Sequence, residues 1–145
     1  MRDREKQMKI TDQFKEWAAR LAAMEPGADP FVSCYLDLSP GFLTRFDSSA
    51  RAAKKGLRPR QRRAVADALA RVESFLKIDA GRGEGGVAIF SRAGVDPFFL
   101  TLPLDAPVST ICTIAPRPDT SGLLALTEQG DPAGFEEVAA SAYWP

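Results

Sequence analysis

The sequence predicts an α+β fold: a mixed sheet of about four strands, with helices packed mainly on one face. Apolar residues recur at helical spacing in some segments and alternate in others, in the order helix, strand, two helices and three strands. A strand, a helical crossover and a second strand favour a parallel pair, to which the later strands add as antiparallel neighbours. With 145 residues, we expect a single domain over 1–145.

The first half of the chain predicts three helices and one strand. The first helix, with Thr11 or Asp12 as its cap, carries apolar residues spaced by four and three positions: Ile10, Phe14, Trp17, Leu21 and Met24. Residues 31–38 alternate as a strand does, which places Val32, Cys34 and Leu36 on one face. A helix is then expected from about Thr44 to Lys55, with Gly56 as its C-cap. Another is expected from Pro59 onward, with a stripe of Val65, Leu69, Val72 and Leu76.

The second half predicts strands, after a glycine-rich linker over 80–86. We expect a hairpin of strands 87–90 and 97–102, with Leu100 in the core, a turn over 103–107 and a last strand over 108–114. Short helical patterns follow at 121–127 and 135–142, and the tail over 127–145 has no certain structure. Cys34 and Cys112 both fall in predicted strands, where an inert buried thiol is the usual outcome and a redox pair the alternative.

Several function classes are excluded by composition. The chain has no histidine, which excludes Ser–His–Asp, Cys–His and His-ligated metal chemistry within it. Two cysteines, 78 positions apart, cannot build a zinc knuckle, and the glycines of 80–86 lack the Lys-Ser/Thr of a phosphate loop. We therefore expect no metal, no cofactor and no enzymatic activity.

The same composition bears on location. No signal peptide is expected, because the charged start of the chain is followed by no apolar run. No segment approaches the ~20 apolar residues of a membrane span. With only two cysteines, a reduced cytoplasmic location and no membrane partner are expected.

One segment departs from the zero net charge of the chain. Between Arg45 and Arg63 lie eight bases against the single acid Asp47, a net charge of +7. We interpret six of these bases as candidate contacts to an RNA backbone: Lys54, Lys55, Arg58, Arg60, Arg62 and Arg63. The alternative is a solvated helical face balanced by the acidic tail, and the lack of an aromatic platform among the bases favours it.

Five segments, in their order along the chain, carry a family resemblance. They are 30–40 (PFVSCYLDLSP), the basic helical stretch, 84–91 (EGGVAIFS), 98–104 (FFLTLPL) and 115–118 (APRP). Over about residues 10–126 they resemble the N-terminal region of bacterial proteins related to archaeo-eukaryotic peptide chain release factors. The resemblance implies a translation factor that binds the ribosome or tRNA during termination, rescue or dormancy.

The chain also departs from the pattern of true release factors. Their next domain carries a Gly-Gly-Gln loop that reaches the peptidyl-tRNA ester, whereas Gly85-Gly86 here is followed by Val87. The Asn-Ile-Lys-Ser motif of the eukaryotic factors is absent too, since the chain has no asparagine. The resemblance therefore assigns no catalytic residue, and we expect either a piece of a longer protein or a stand-alone domain without hydrolytic activity.

Three hypotheses follow from these observations. The first is a non-catalytic, ribosome- or tRNA-binding domain of release-factor type. The second is a protein-interaction or oligomerisation module, whose basic edge meets an acidic partner or the acidic tail of a second copy. The third is a hydrolase that uses Asp37, although a solvated or capping role suits this carboxylate better because no partner acid lies near it in sequence.

The first two hypotheses predict catalytic silence. The purified chain should not hydrolyse peptidyl-tRNA, esters or nucleotides above background, because it lacks histidine and the Gly-Gly-Gln loop. Turnover measured with each substrate class, for the wild type and for Asp37→Asn, checks this expectation. Activity that persists through rigorous purification and disappears in Asp37→Asn would support the hydrolase instead.

Overall fold

A computed structural model describes residues 13–79, 85–105 and 108–129. The chain divides into two compact units. The larger unit is Glu25–Pro118, and the smaller one is formed by the two ends of the chain, of which 13–24 and 119–129 are described.

The larger unit consists of one sheet and two helices. Its strands are β1 (Phe31–Asp37), β2 (Gly86–Arg92), β3 (Phe98–Leu104) and β4 (Ile111–Ala115), in the sheet order β3-β2-β1-β4. Its helices, α2 (Phe42–Lys54) and α3 (Pro59–Ile78), connect β1 to β2. The α+β class and the four-stranded sheet predicted from the sequence are confirmed.

The smaller unit contains helix α1 (13–22) and helix α4 (Ser121–Gln129). On α1 the buried residues are Phe14, Ala18 and Leu21, which lie on one stripe at helical spacing. On α4 they are Leu123 and Thr127. Among the described residues no helix is both long and apolar enough to cross a membrane.

The predicted parallel pair is wrong, because β1 pairs with β2 and with β4 antiparallel and the sheet is not mixed. A single helix would return the chain to the start of β1, whereas α2 and α3 cross the sheet out and back. The 13 residues of α2 and the 20 of α3 span about 20 and 30 Å at 1.5 Å per residue. The chain therefore re-enters the sheet beside the end of β1, where Asp37 faces Gly86 and the Leu38 N–H donates to the Gly85 carbonyl at 2.9 Å.

Helices α2 and α3 both pack on the same face of the sheet. Cross-strand pairs of β1 and β2 form this face, among them Cys34 with Ile89 and Leu36 with Val87. Against it lie the apolar stripes of the helices, Phe46 and Ala50 from α2 and Val65, Ala68, Leu69, Val72 and Leu76 from α3. The prediction that the helices pack mainly on one face is thus confirmed for this unit.

The opposite face of the sheet is also buried in its centre. Phe31, Tyr35 and Phe90 are each at most 4% exposed, and edge-to-face ring pairs join Tyr35 to Phe90 and Phe31 to Phe98. The guanidinium of Arg92, buried at 4% exposure, lies 4.4 Å from the Phe31 ring centroid. Strand β1 is therefore buried on both faces.

Some predicted boundaries move by a few residues. Strand β3 continues through Pro103, where a turn was predicted; this is possible because β3 is an edge strand, whose outer side needs no N–H donor. Strand β4 begins at Ile111 instead of Val108, and Ile111 is 50% exposed whereas its neighbour Cys112 is buried. Leu100, expected in the core, is only half-buried.

Other predictions fall outside the described residues. These are the cap at Thr11 or Asp12, most of the glycine-rich linker, the helix over 135–142 and the rest of the tail from 130 onward. The single domain over 1–145 stays a prediction.

Leu36 and Leu69 provide a test of this core. Leu36→Ala or Leu69→Ala should lower the free energy of unfolding by about 2–5 kcal/mol, because these side chains are 1% and 7% exposed and truncation leaves a cavity. Ile78→Ala is the matched control on α3, since Ile78 is 74% exposed. Urea unfolding of the three variants gives the comparison; a loss below ~1 kcal/mol at both leucines would mean that the core is assigned wrongly.

Candidate nucleic-acid interface

The six predicted contact bases lie at the connection between α2 and α3, and all six are exposed. Lys54 is the last residue of α2 and Lys55 follows it. Arg58 precedes the first residue of α3, whose first two turns contain Arg60, Arg62 and Arg63. We call these six residues, Lys54, Lys55, Arg58, Arg60, Arg62 and Arg63, the basic surface.

The backbone between the two helices is held in place by short-range contacts. Gly56 has φ of 87°, a left-handed conformation that glycine adopts without strain, and it ends α2 as the sequence predicted. Leu57 is half-buried against the core while its neighbours in the basic surface, Lys55 and Arg58, are exposed. The Arg58 N–H donates to Gln61 Oε1 at 3.3 Å and the Gln61 N–H to the Arg58 carbonyl at 2.9 Å. An apolar anchor and two hydrogen bonds thus fix the turn that carries the charges.

The charges of the basic surface are not compensated by nearby acids. Residues 48–66 contain no aspartate or glutamate. Ion pairs within the described ranges include Arg20–Glu16, Arg51–Asp47, Lys77–Glu73 and Arg92–Asp96, and no member of the basic surface takes part in one. Asp67, one turn beyond Arg63, is exposed. The basic surface therefore carries six positive charges without an ion pair in this part of the chain.

The bases of the basic surface interact differently with the helix dipoles, according to which end of a helix they lie at. Lys54 lies in the last turn of α2, where a cation interacts favourably with the negative end of the helix. Arg60 and Arg62 lie at the opposite end of a helix, the start of α3, whose first turn has no acidic residue. A cation there costs about 0.3–1 kcal/mol, so helix stability does not explain these arginines.

Two other bases of the charged segment serve the fold. Arg45 Nη1 donates to the Pro40 carbonyl at 2.9 Å, and Nη2 to the carbonyls of Asp37 and Ser39 at 3.1 and 2.8 Å and to Ser39 Oγ at 2.9 Å. Arg45 Nε is buried and has no hydrogen-bond partner among the described residues. Arg51 pairs with Asp47 one turn earlier, at 3.1 Å. Arg45 thus fastens the loop between β1 and α2, and neither base belongs to the basic surface.

Asp37 has a structural role in the same loop. Its carboxylate accepts from the Ser39 N–H at 3.0 Å and from Ser39 Oγ at 3.1 Å. The backbone hydrogen bond, the hydroxyl and the nearby Arg45 guanidinium together lower the pKa of Asp37 below its ordinary value, against a weaker opposing effect of desolvation. These contacts are those of a capping carboxylate, and no group of three metal-ligating side chains occurs among the described residues.

One aromatic residue near α3, Phe99, was not connected with the bases by the sequence pattern. The Arg71 guanidinium lies 4.4 Å from the centroid of the half-buried Phe99 ring, which also meets Phe75 edge to face at 6.3 Å. Arg71 is two turns beyond Arg63 on the same helix. The pairing of β3 with β2 brings Phe99 to this helix, so a distance of 28 positions along the chain concealed the contact.

Neither the scan against protein-family models nor the search of curated proteins finds a match to this chain. The resemblance to release-factor-related proteins therefore stays a prediction from the sequence.

The free energy of unfolding tests whether Arg45 and the basic surface have different roles. Arg45→Ala should lower the free energy of unfolding by about 1–3 kcal/mol, because it removes hydrogen bonds that close the loop. Arg62→Ala should not lower it and can raise it by up to about 1 kcal/mol, since this exposed, unpaired arginine opposes the dipole of α3. Denaturant unfolding at neutral pH gives both values, and an equal loss in the two variants would contradict this division.

The lowered pKa of Asp37 predicts a weak dependence of stability on acid. A carboxyl with a depressed pKa in the folded state contributes stability that is present above its unfolded pKa and is lost as the pH falls through the folded pKa. In Asp37→Asn this part of the acid loss should be missing. Thermal unfolding of both proteins between pH 6 and pH 3 checks it; parallel curves for the two would show that the Ser39 hydrogen bonds do not favour the ionised form.

Proposed function

We propose that this chain is a non-catalytic RNA-binding domain that contacts the phosphate backbone of ribosomal RNA or tRNA through the basic surface. The observation that carries the proposal is the set of exposed arginines at the start of α3, which have no ion pair among the described residues. These cations oppose the helix dipole, and a phosphate ligand would reverse that unfavourable interaction. Backbone phosphates also interact with the free N–H groups at a helix N-terminus.

The form of the basic surface favours a backbone contact over base recognition. Its six members include four arginines, whose planar guanidinium groups bind phosphate oxygens in a bidentate manner. No aromatic side chain lies among residues 54–63 to stack on bases. Contacts of this kind give affinity that depends on salt and hardly on sequence.

The assignment to translation rests on the sequence resemblance. The five segments similar to release-factor-related proteins would make the RNA partner a ribosome or a tRNA, with a role in termination, rescue or dormancy. A cytoplasmic location, expected from the sequence, accompanies this role.

The alternative is a protein-interaction or oligomerisation module without an RNA role. The acids that follow Arg117, which include Asp119, Glu128 and Asp131, give the chain a negative segment that a basic surface on a second copy would attract. Both functions use electrostatic contacts, so loss of binding at high salt alone does not distinguish them. The identity of the partner does.

A salt series with matched variants tests the proposal. A quadruple variant should bind ribosomes or ribosomal RNA more weakly than the wild type. It combines Lys54→Ala, Lys55→Ala, Arg62→Ala and Arg63→Ala. They should also flatten the slope of log affinity against log salt by about three to four units, at ~0.7–0.9 for each lost phosphate contact. The fold should stay stable, because these side chains are exposed.

The control removes the same charge elsewhere. A second quadruple variant replaces four bases outside the basic surface by alanine: Lys15, Arg20, Lys77 and Arg117. This variant should keep the wild-type slope of log affinity against log salt. Identical binding curves for the wild type and the first variant would end the RNA-contact proposal. A concentration-dependent increase in size that only the first variant loses, without RNA affinity, would support the oligomerisation module.

A further inference from the structure

The two cysteines of the chain face each other in the sheet. Cys34 of β1 and Cys112 of β4 are directly paired across the strands, and their Sγ atoms are 3.3 Å apart. Both thiols are free and buried. A separation of 78 positions along the chain thus becomes a direct contact in the core.

We propose that Cys34 and Cys112 form a site for an intramolecular disulfide, which thiol–disulfide exchange with a small disulfide such as oxidised glutathione closes, and that the disulfide form keeps the present pairing of β1 with β4. Directly opposed residues of antiparallel strands have Cα atoms about 4.5–5.5 Å apart, which lies within the 4.4–6.8 Å that disulfides span. Closure needs the sulfur atoms to approach from 3.3 Å to about 2.05 Å, a shift that side-chain rotation supplies.

The exchange conserves atoms and electrons in two steps. One cysteine thiolate attacks oxidised glutathione and releases one glutathione thiolate, which leaves a mixed disulfide on the protein. The second cysteine, after losing its proton, attacks the protein sulfur of that mixed disulfide and releases a second glutathione. Two protein thiols are thereby oxidised to one disulfide, and one oxidised glutathione is reduced to two thiols.

The site is slow to react while the sheet is closed. The hydrogen bond with Cys112 and burial hold the pKa of Cys34 well above its usual range, so little thiolate forms. Strand β4 is an edge strand of five residues that pairs with β1 alone in the described sheet. Opening of β4 exposes both thiols to the oxidant, and re-pairing of the strand brings the sulfur atoms together again.

The central test incubates the folded wild-type chain with oxidised glutathione and measures its mass. Disulfide formation removes two hydrogen atoms, a loss of about 2 Da, and joins the tryptic peptides 21–45 and 93–145, which contain one cysteine each. The oxidised chain should stay monomeric and gain about 5–10 °C in Tm, because the crosslink restricts the unfolded chain. Reduction should return the Tm to its starting value.

Cys34→Ala and Cys112→Ala, made singly and together, are the controls, and the Tm of the double variant should not respond to the oxidant. Only intermolecular dimers, a stable mixed disulfide with glutathione in the wild type, or no reaction at all would overturn the proposal. A disulfide that lowers the Tm would overturn it too, because the sheet would then have to distort to accept the bond. If the variants fail to fold, peptide mapping and the Tm of the wild type decide alone.

Discussion

The burial of β1 on both faces is the constraint on which the larger unit depends. This strand lies between β2 and β4, and six of its seven residues are buried. Its even-numbered side chains meet α2 and α3, whereas Phe31 and Tyr35 pack with rings of β3 and β2 on the opposite face. A shift of one residue in register would exchange these two sets, so the strand has one pairing that preserves both.

This constraint also determines where the basic surface lies. The apolar stripes of α2 and α3 hold both helices on the sheet, and Leu57 packs the turn between them onto the same core. The other residues of that turn, Lys55, Gly56 and Arg58, are exposed to solvent, and two of these three are basic. Fold and charge are carried by different side chains of one segment, so selection can change the basic surface while the core stays intact.

Periodicity predicted the elements because it reports burial directly. The stripe of Val65, Leu69, Val72 and Leu76 located α3, and Gly56 with Pro59 marked the turn before it. Strand direction was mispredicted although both helices were predicted, because the two helices were treated as one crossover. One helix crosses the sheet and the second crosses back, so the chain returns to the end of β1 and β2 pairs with it antiparallel.

The candidate site was predictable only in part for a similar reason. A count of charges found the basic segment, and the six candidate bases chosen from it are all exposed, but the count gave no role to Arg45, which fastens the loop at Ser39. Contacts that join distant segments, such as Arg71 with Phe99 and Cys34 with Cys112, depend on strand order. Neither charge nor spacing along the chain contains that information.

The most direct test of the account is a lysine footprint, which measures the acetylation rate of each lysine in the free protein and with ribosomal RNA bound. Lys54 and Lys55 belong to the basic surface, whereas Lys15 and Lys77 lie on α1 and near the end of α3. If the basic surface contacts the phosphate backbone, Lys54 and Lys55 should become protected while Lys15 and Lys77 react at unchanged rates. Equal protection of all four lysines, or protection of Lys15 and Lys77 alone, would contradict it.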